Sequence, residues 1–170
     1  MPMLDRLLRR LLAPAVASLV QEQLAEVRRS GPDGHDPELF HDLVYPDRGR
    51  VHVHPTAVLN DALLNVSSGD ITIGRYTFLG HRVSLLTGTH DFSKFGAERQ
   101  VAVPKSGRDI VIGEGVWLAS HVVVVGPCTI GDHAVVGVGS LVLKDVAPYT
   151  VVAGSPARVR ATIPRPGQEQ

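Results

Sequence analysis

One cysteine, Cys128, occurs in 170 residues. A lone thiol excludes an internal disulfide framework and fits a reducing compartment, so the chain reads as cytoplasmic. Aromatic residues are scarce at 5%, with a single tryptophan, so the core must be built from small and branched side chains. Charge of either sign is in no excess, with 17 Lys and Arg against 17 Asp and Glu. Nothing global therefore points to nucleic acid or to an anionic membrane. Long hydrophobic runs are also missing. The N-terminal stretch LLAPAVASLV holds ten residues, includes Pro14, and leads into the polar QEQLAEVRRS. It is too short to span a bilayer and is not followed as a cleaved signal would be.

What is present divides the chain into three parts: residues 1–50, 51–160 and 161–170. Over residues 3–28, Leu4, Leu7, Leu8, Leu11, Leu12, Val16, Leu19, Val20, Leu24 and Val27 form an apolar stripe at three-and-four spacing, which predicts a helix. Its stripe suits packing against its own domain or a sister subunit. Arg6, Arg9 and Arg10 beside it leave membrane contact as the alternative. GPDGHDP, residues 31–37, is a linker by composition, and residues 161–170 are a tail.

From Val53 onward an aliphatic residue returns every sixth position. The column runs Val53, Leu59, Asn65, Ile73, Leu79, Leu85, then Ile112, Leu118, Val124, Ile130, Val136, Val142. A two-residue slip is placed at Ile71–Thr72. Eleven of the twelve are Ile, Leu or Val, types that make up 49 of the 170 residues overall. A period of six fits neither an α-helix nor a plain strand. It fits a short strand and a tight corner, repeated three times per turn of a triangular prism. Large aliphatics point inward and smaller residues fill a second inward position, the fifth of each hexad. Each turn is buried only by its neighbours.

These hexads, and above all IGEGVWLASHVVVVGPCTIGDHAVVGVGSLVLKDVAPYTVVAGSPARV, resemble the hexapeptide-repeat acyltransferases, among them the galactoside, maltose and polysaccharide O-acetyltransferases. The resemblance covers residues 53 to about 160. It implies an all-β fold, a left-handed parallel β-helix, here with an N-terminal helical segment and one long inserted loop. It also implies a homotrimer with acetyl-CoA, or another acyl-CoA, as co-substrate and no metal.

The repeat stops at LLTGTHDF and resumes at Ile112, leaving a loop over residues 91–111. An insertion of that length in a compact repeat is functional or disordered. Phe92 and Phe95, with Lys94, Glu98, Arg99, Lys105 and Arg108, argue for an ordered wall of a pocket. Direct acyl transfer needs a base for the hydroxyl proton, and histidine suits that work at neutral pH. The resemblance gives this role to His90. Asp91 either orients the imidazole, starts the loop or touches the acceptor, and Phe92 and Arg99 are assigned to the acceptor side. Asn65 is either a further acceptor contact, with Ser67 and Ser68 behind it, or part of an internal amide ladder or a cap on the slip.

Carried over position by position, the resemblance places Trp117 near the reactive end of the cofactor. Ser120 and Val138 fall on its pantetheine arm, and Lys144 and Arg158 near its phosphates. Leu143 stands where the sugar enzymes often carry Thr, and Ala161 where a second basic residue is common. These departures bear on the acceptor more than on the donor. Cys128 falls among small inward residues and reads as packing, so no acyl-enzyme is expected.

The expectation is thus an acetyl-CoA-dependent O-acetyltransferase acting on a hydroxyl of a sugar or glycan. Antibiotic or amine acceptors are the alternative. Two rivals share the fold. A zinc enzyme of the γ-carbonic-anhydrase kind lacks its histidine spacing here, since five positions after His121 stands Gly126. A non-catalytic scaffold would need no histidine-and-loop interruption.

Overall fold

In the computed structural model, residues 43–45, 50–165 and 167 are described. The chain divides into two units, residues 1–40 and 41–170. The helix expected over 3–28 and the linker over 31–37 lie outside the described residues. Among those described, no helix is long and apolar enough to cross a membrane.

Short strands, numbered in chain order, form three sheets that are the faces of a prism. Face A holds β1 (Leu43–Tyr45), β3 (Leu63–Asn65), β6 (Ser84–Leu86), β9 (Val123–Val125) and β12 (Leu141–Val142). Face B holds β2 (Val51–Val53), β4 (Ile71–Ile73), β7 (Ile110–Ile112) and β10 (Cys128–Ile130). Face C holds β5 (Phe78–Leu79), β8 (Trp117–Leu118), β11 (Val135–Val136), β13 (Thr150–Ala153) and β14 (Arg158–Thr162). The chain visits B, C and A in that order on each coil, and every pairing is parallel except β13 with β14. This is a parallel β-helix. Its first strand, at Leu43–Tyr45, already pairs with β3 ahead of residue 51. Its last, β14, carries the chain into the stretch read as a tail.

The hexad produces this shape because two residues of each six turn inward, separated by one that turns out. Ile71 and Ile73, Thr77 and Leu79, Val83 and Leu85, Ile110 and Ile112 are all buried. The same pairing continues through Val116 and Leu118 to Ala134 and Val136. Aligned register then stacks like on like, as in Ile73–Ile112–Ile130 and Leu79–Leu118–Val136. Each fully buried aliphatic side chain contributes roughly 1.5–3 kcal/mol. Thr77 is inward yet satisfied: its hydroxyl donates to the Gly113 carbonyl at 2.7 Å and accepts from the Val116 N–H at 3.1 Å.

One part of the expected register is corrected. Leu64, not Asn65, takes the inward position, stacking on Leu85 in face A. The spacing from Leu59 to Ile73 is therefore five then nine, where six then eight was expected. The reason is local. The Asn65 side-chain oxygen accepts the Ser67 N–H at 3.0 Å, so the amide caps the irregular corner that follows instead of entering the core.

The three edges of the prism differ. Between faces B and C, Tyr76, Gly115, His133 and Tyr149 all sit in the left-handed backbone region. Glycine at 115 is required, since a Cβ there would lie 2.5 Å from Nδ1 of His133. Between C and A, Asn60, Arg82, His121 and Gly139 repeat the same turn. Between A and B no described residue adopts it in the stretches 66–70, 126–127 or 143–145. The long loop leaves from this irregular edge.

Candidate active site

The loop departs after β6 and returns at β7, and its stem is built from polar ties and bare backbone. Thr87 is buried, its hydroxyl donating to the Asn65 carbonyl at 2.8 Å. A Cβ on Gly88 would strike the Asn65 amide at 2.6 Å, so Asn65 packs directly under the loop's exit. On the return side the Arg108 N–H donates to the Ser68 carbonyl, and Arg108 Nε donates to the Thr87 carbonyl at 2.8 Å. Arg108 thus joins the two ends. Its main chain runs so close to Gly69 and Gly126 that neither could carry a side chain without displacing it. Ile110 is already buried and in register with Ile71, so the coil resumes two residues before Ile112.

Within the loop, a six-residue helix, α1 (Gly96–Val101), presents its main chain to His90. Nδ1 of His90 lies 2.9 Å from the carbonyl oxygen of Arg99. A carbonyl can only accept, so Nδ1 carries the proton and, in the neutral ring, Nε2 carries the lone pair. Asp91 is occupied elsewhere. Its carboxylate accepts the Ser93 N–H at 2.9 Å and the Ser93 hydroxyl at 2.6 Å. The Ser93 hydroxyl, then its N–H, hold the Asp91 carboxyl below its usual range. Its main-chain N–H closes the loop on the Ala102 carbonyl. His90, Gly96, Arg99 and Gln100 line an open concavity of ≈ 390 Å³. Phe92 and Phe95 are 88% and 76% exposed beside it.

The residues assigned to the donor fall into groups. Trp117 projects from face C, half-exposed, with its ring stacked on Phe78 at 5.8 Å and 17°. Ser120 and Val138 follow each other on the C–A edge. The Ser120 carbonyl accepts the Gly139 N–H at 3.0 Å, its hydroxyl accepts the His81 N–H at 3.1 Å, and Val138 is exposed. Lys144 and Arg158 come together in a second concavity of ≈ 380 Å³ at the last coil, lined also by Leu143 and Pro156. His90 shares no concavity with Lys144 and Arg158, and its loop springs from the A–B edge, whereas Ser120 and Val138 lie on the C–A edge and Trp117 on face C. One contributor escaped the sequence reading, Phe78; Arg108, read there as part of a pocket wall, ties the loop's ends together. Phe78 had a signal: IGRYTF and IGEGVW end their hexads on an aromatic at the same position.

Cys128 is buried, and burial pushes its thiol up to about 11, which makes it inert as a nucleophile at neutral pH. Among the described residues, no three His, Cys, Asp or Glu side chains gather as a metal-ligand set.

Residues 109–144 match the model of the bacterial transferase hexapeptide (six repeats). The galactoside O-acetyltransferase of Escherichia coli K12 is 33% identical over 146 residues, covering 84% of this chain and 66% of its own length. A maltose O-acetyltransferase from Clostridium difficile 630 superposes with a TM-score of 0.62 at 27% identity, covering 80% of this chain and 78% of its own. A hexapeptide-repeat acetyltransferase of Vibrio cholerae, solved in complex with acetyl coenzyme A, gives a TM-score of 0.50 at 28% identity, over 75% and 74% of the two chains. The chain spans about two thirds or less of the length of the curated relatives it matches first.

Proposed function

We propose, for a chain that carries the bacterial transferase hexapeptide and resembles the galactoside and maltose O-acetyltransferases, an acetyl-CoA-dependent O-acetyltransferase acting on a hydroxyl of a sugar or glycan. The observation that carries this reading is the His90–Arg99 hydrogen bond. It makes Nε2 the basic nitrogen beside an open concavity, which is what a general base for an alcohol requires. The acceptor is received where His90, Arg99 and Gln100 line that concavity, with Phe92 and Asp91 on the loop and Asn65 under its stem. Nε2 takes the hydroxyl proton as the oxygen attacks the thioester carbonyl. The tetrahedral adduct collapses, the C–S bond breaks, and the imidazolium returns the proton to the departing thiolate. The buried, protonated Cys128 takes no part, so no acyl-enzyme forms.

Lys144 and Arg158 suit the donor's phosphates because a polyanion is held best by converging cations. Exposed Val138, Ser120 and the Trp117 ring offer the pantetheine arm an edge and an apolar wall. His90 and this edge belong to different corners of one prism, so a second copy would bring one chain's base to another's donor groove. A homotrimer of left-handed prisms, with three such clefts, meets that need. The single buried thiol fits the cytoplasm.

The test is acetyl-CoA binding by calorimetry for wild type and His90→Ala, followed by thiol release with a panel of sugars. Binding retained in both, with release lost in the variant, supports the donor and the base together. Absence of binding by wild type to any acyl-CoA would remove the enzyme reading.

A further inference from the structure

Arg99 makes contacts that a solvated or acceptor-binding arginine does not need. Its Nε donates to the Lys94 carbonyl at 2.5 Å and its Nη2 to the Phe92 carbonyl at 3.1 Å. Its guanidinium lies over the Phe95 ring at 5.0 Å. The ion pair of the loop is made by its neighbours, Lys94 and Glu98, at 2.8 Å. One cation therefore gathers three successive points of the chain segment 92–95. Only a planar fork can do this, since a lysine ammonium could not reach two carbonyls and stack on a ring at once.

The same residue turns its own carbonyl to His90 Nδ1. The span between His90 and Arg99 is closed further by Asp91 N–H to the Ala102 carbonyl at 2.8 Å, and by the Ser93 contacts to Asp91. Neither of these closures fixes the 92–95 segment against α1; the exposed Lys94–Glu98 pair and the long Arg99 N–H bond to the Phe95 carbonyl do so weakly, and the guanidinium supplies the rest. A six-residue helix has little stability of its own. Without that brace the Arg99 carbonyl is kept in line with the imidazole only by one exposed ion pair and a few main-chain bonds.

We infer that Arg99 is a positioning residue: its side chain braces the loop so that its main-chain carbonyl holds His90 in the Nδ1–H tautomer, with Nε2 free to act as base. This rests on the reading of His90 as the general base. It differs from a role in binding the acceptor, because the guanidinium is already engaged by the loop.

The experiment has two readouts on the intact protein. The first is ¹⁵N-resolved NMR of the histidine rings in the free protein at a pH where they are neutral, for wild type, Arg99→Lys and Arg99→Ala. The His90 signals are identified by their loss in His90→Ala. Wild type is expected to show His90 as the Nδ1–H tautomer, and both variants a mixture. The second is steady-state acetyl transfer. There kcat is expected to fall about tenfold to hundredfold, the scale of a misplaced catalytic group, with the KM for acetyl-CoA within about twofold of wild type and no rescue by lysine. Thermal unfolding of each variant separates a loop effect from a folding defect. A wild-type His90 in the Nε2–H form, or variants with unchanged tautomer and an acceptor KM raised at constant kcat, would overturn the inference. If wild type transfers no acetyl group, the functional reading fails, and the tautomer measurement still decides what Arg99 does.

Discussion

Arg108 Nε donates to the carbonyl of Thr87 at 2.8 Å across 21 positions of sequence. One half-buried hydrogen bond thus fixes where a long excursion begins and ends. A charged donor to a carbonyl is worth about 1.5–3 kcal/mol at most, and less with partial exposure. Arg108→Ala should lower the melting temperature by only about 2–4 °C while speeding tryptic cleavage within 88–107 severalfold. Cleavage at the wild-type rate would show that the loop closes without it.

The glycines beside Arg108 act by contact, not by conformation. A Cβ on Gly69 would lie 2.5 Å from the Arg108 carbonyl carbon and 2.7 Å from the Asp109 nitrogen. Gly69→Ala should destabilise by about 1–3 kcal/mol, the range for overpacking. Gly139→Ala is the contrast. Its Cβ would meet nothing within 4 Å, and only its φ of +66° is unfavourable, a cost of about 1–2 kcal/mol. Urea titration measures both losses. A loss well under about 1 kcal/mol at Gly69→Ala, with acetyl-CoA binding intact, would mean the stem tolerates a methyl group.

The single tryptophan reports on the donor assignment. Trp117 is half-exposed and stacked on Phe78, so its emission should shift to the red in Phe78→Ala, with at most about 0.5–1.5 kcal/mol lost from the stack. Acetyl-CoA should quench it in a saturable way. Binding seen by calorimetry without any change in emission would take Trp117 out of the donor site.

Cys128 gives a pH signature. Burial raises its thiol from 9.0 to about 11, so the unfolded chain sheds this proton first on alkalinisation. The stability it contributes is whole below about pH 9 and is lost as pH rises towards 11. Cys128→Ala or Cys128→Val should flatten that decline in chemical denaturation, and a thiol reagent at pH 8 should label wild type only as it unfolds. Fast labelling of the folded protein would contradict the burial argument.

From Ile73 onward the repeat can be read from spacing, because two inward residues per hexad leave a double imprint. Between Leu59 and Ile73 it cannot, since a beat of six from Leu59 lands on Asn65, while the aliphatic that turns inward, Leu64, stands five on. Only the capping bond from Asn65 to Ser67 decides between them. The interruption at His90 is equally plain in the sequence, but the partner of its imidazole is not. Arg99 presents a main-chain oxygen, and main-chain groups leave no trace in residue identity. Its side chain reads as an acceptor contact because nothing in a string of letters shows two carbonyls folding back towards it. The sequence assigns Lys144 and Arg158 to the donor one by one and cannot show that the turn between β13 and β14 puts them in one concavity.

That turn has a second effect. A stack of parallel coils ends in a strand whose free N–H and C=O groups invite another strand of the same direction. On face C the chain itself takes this place, running β14 backwards along β13 with a shift in register between Val151 and Val152. All five of its residues are exposed, Arg158 and Arg160 among them. The outer rim it offers is therefore reversed in polarity, irregular and cationic, which makes it a poor template for end-to-end polymerisation of one prism onto the next.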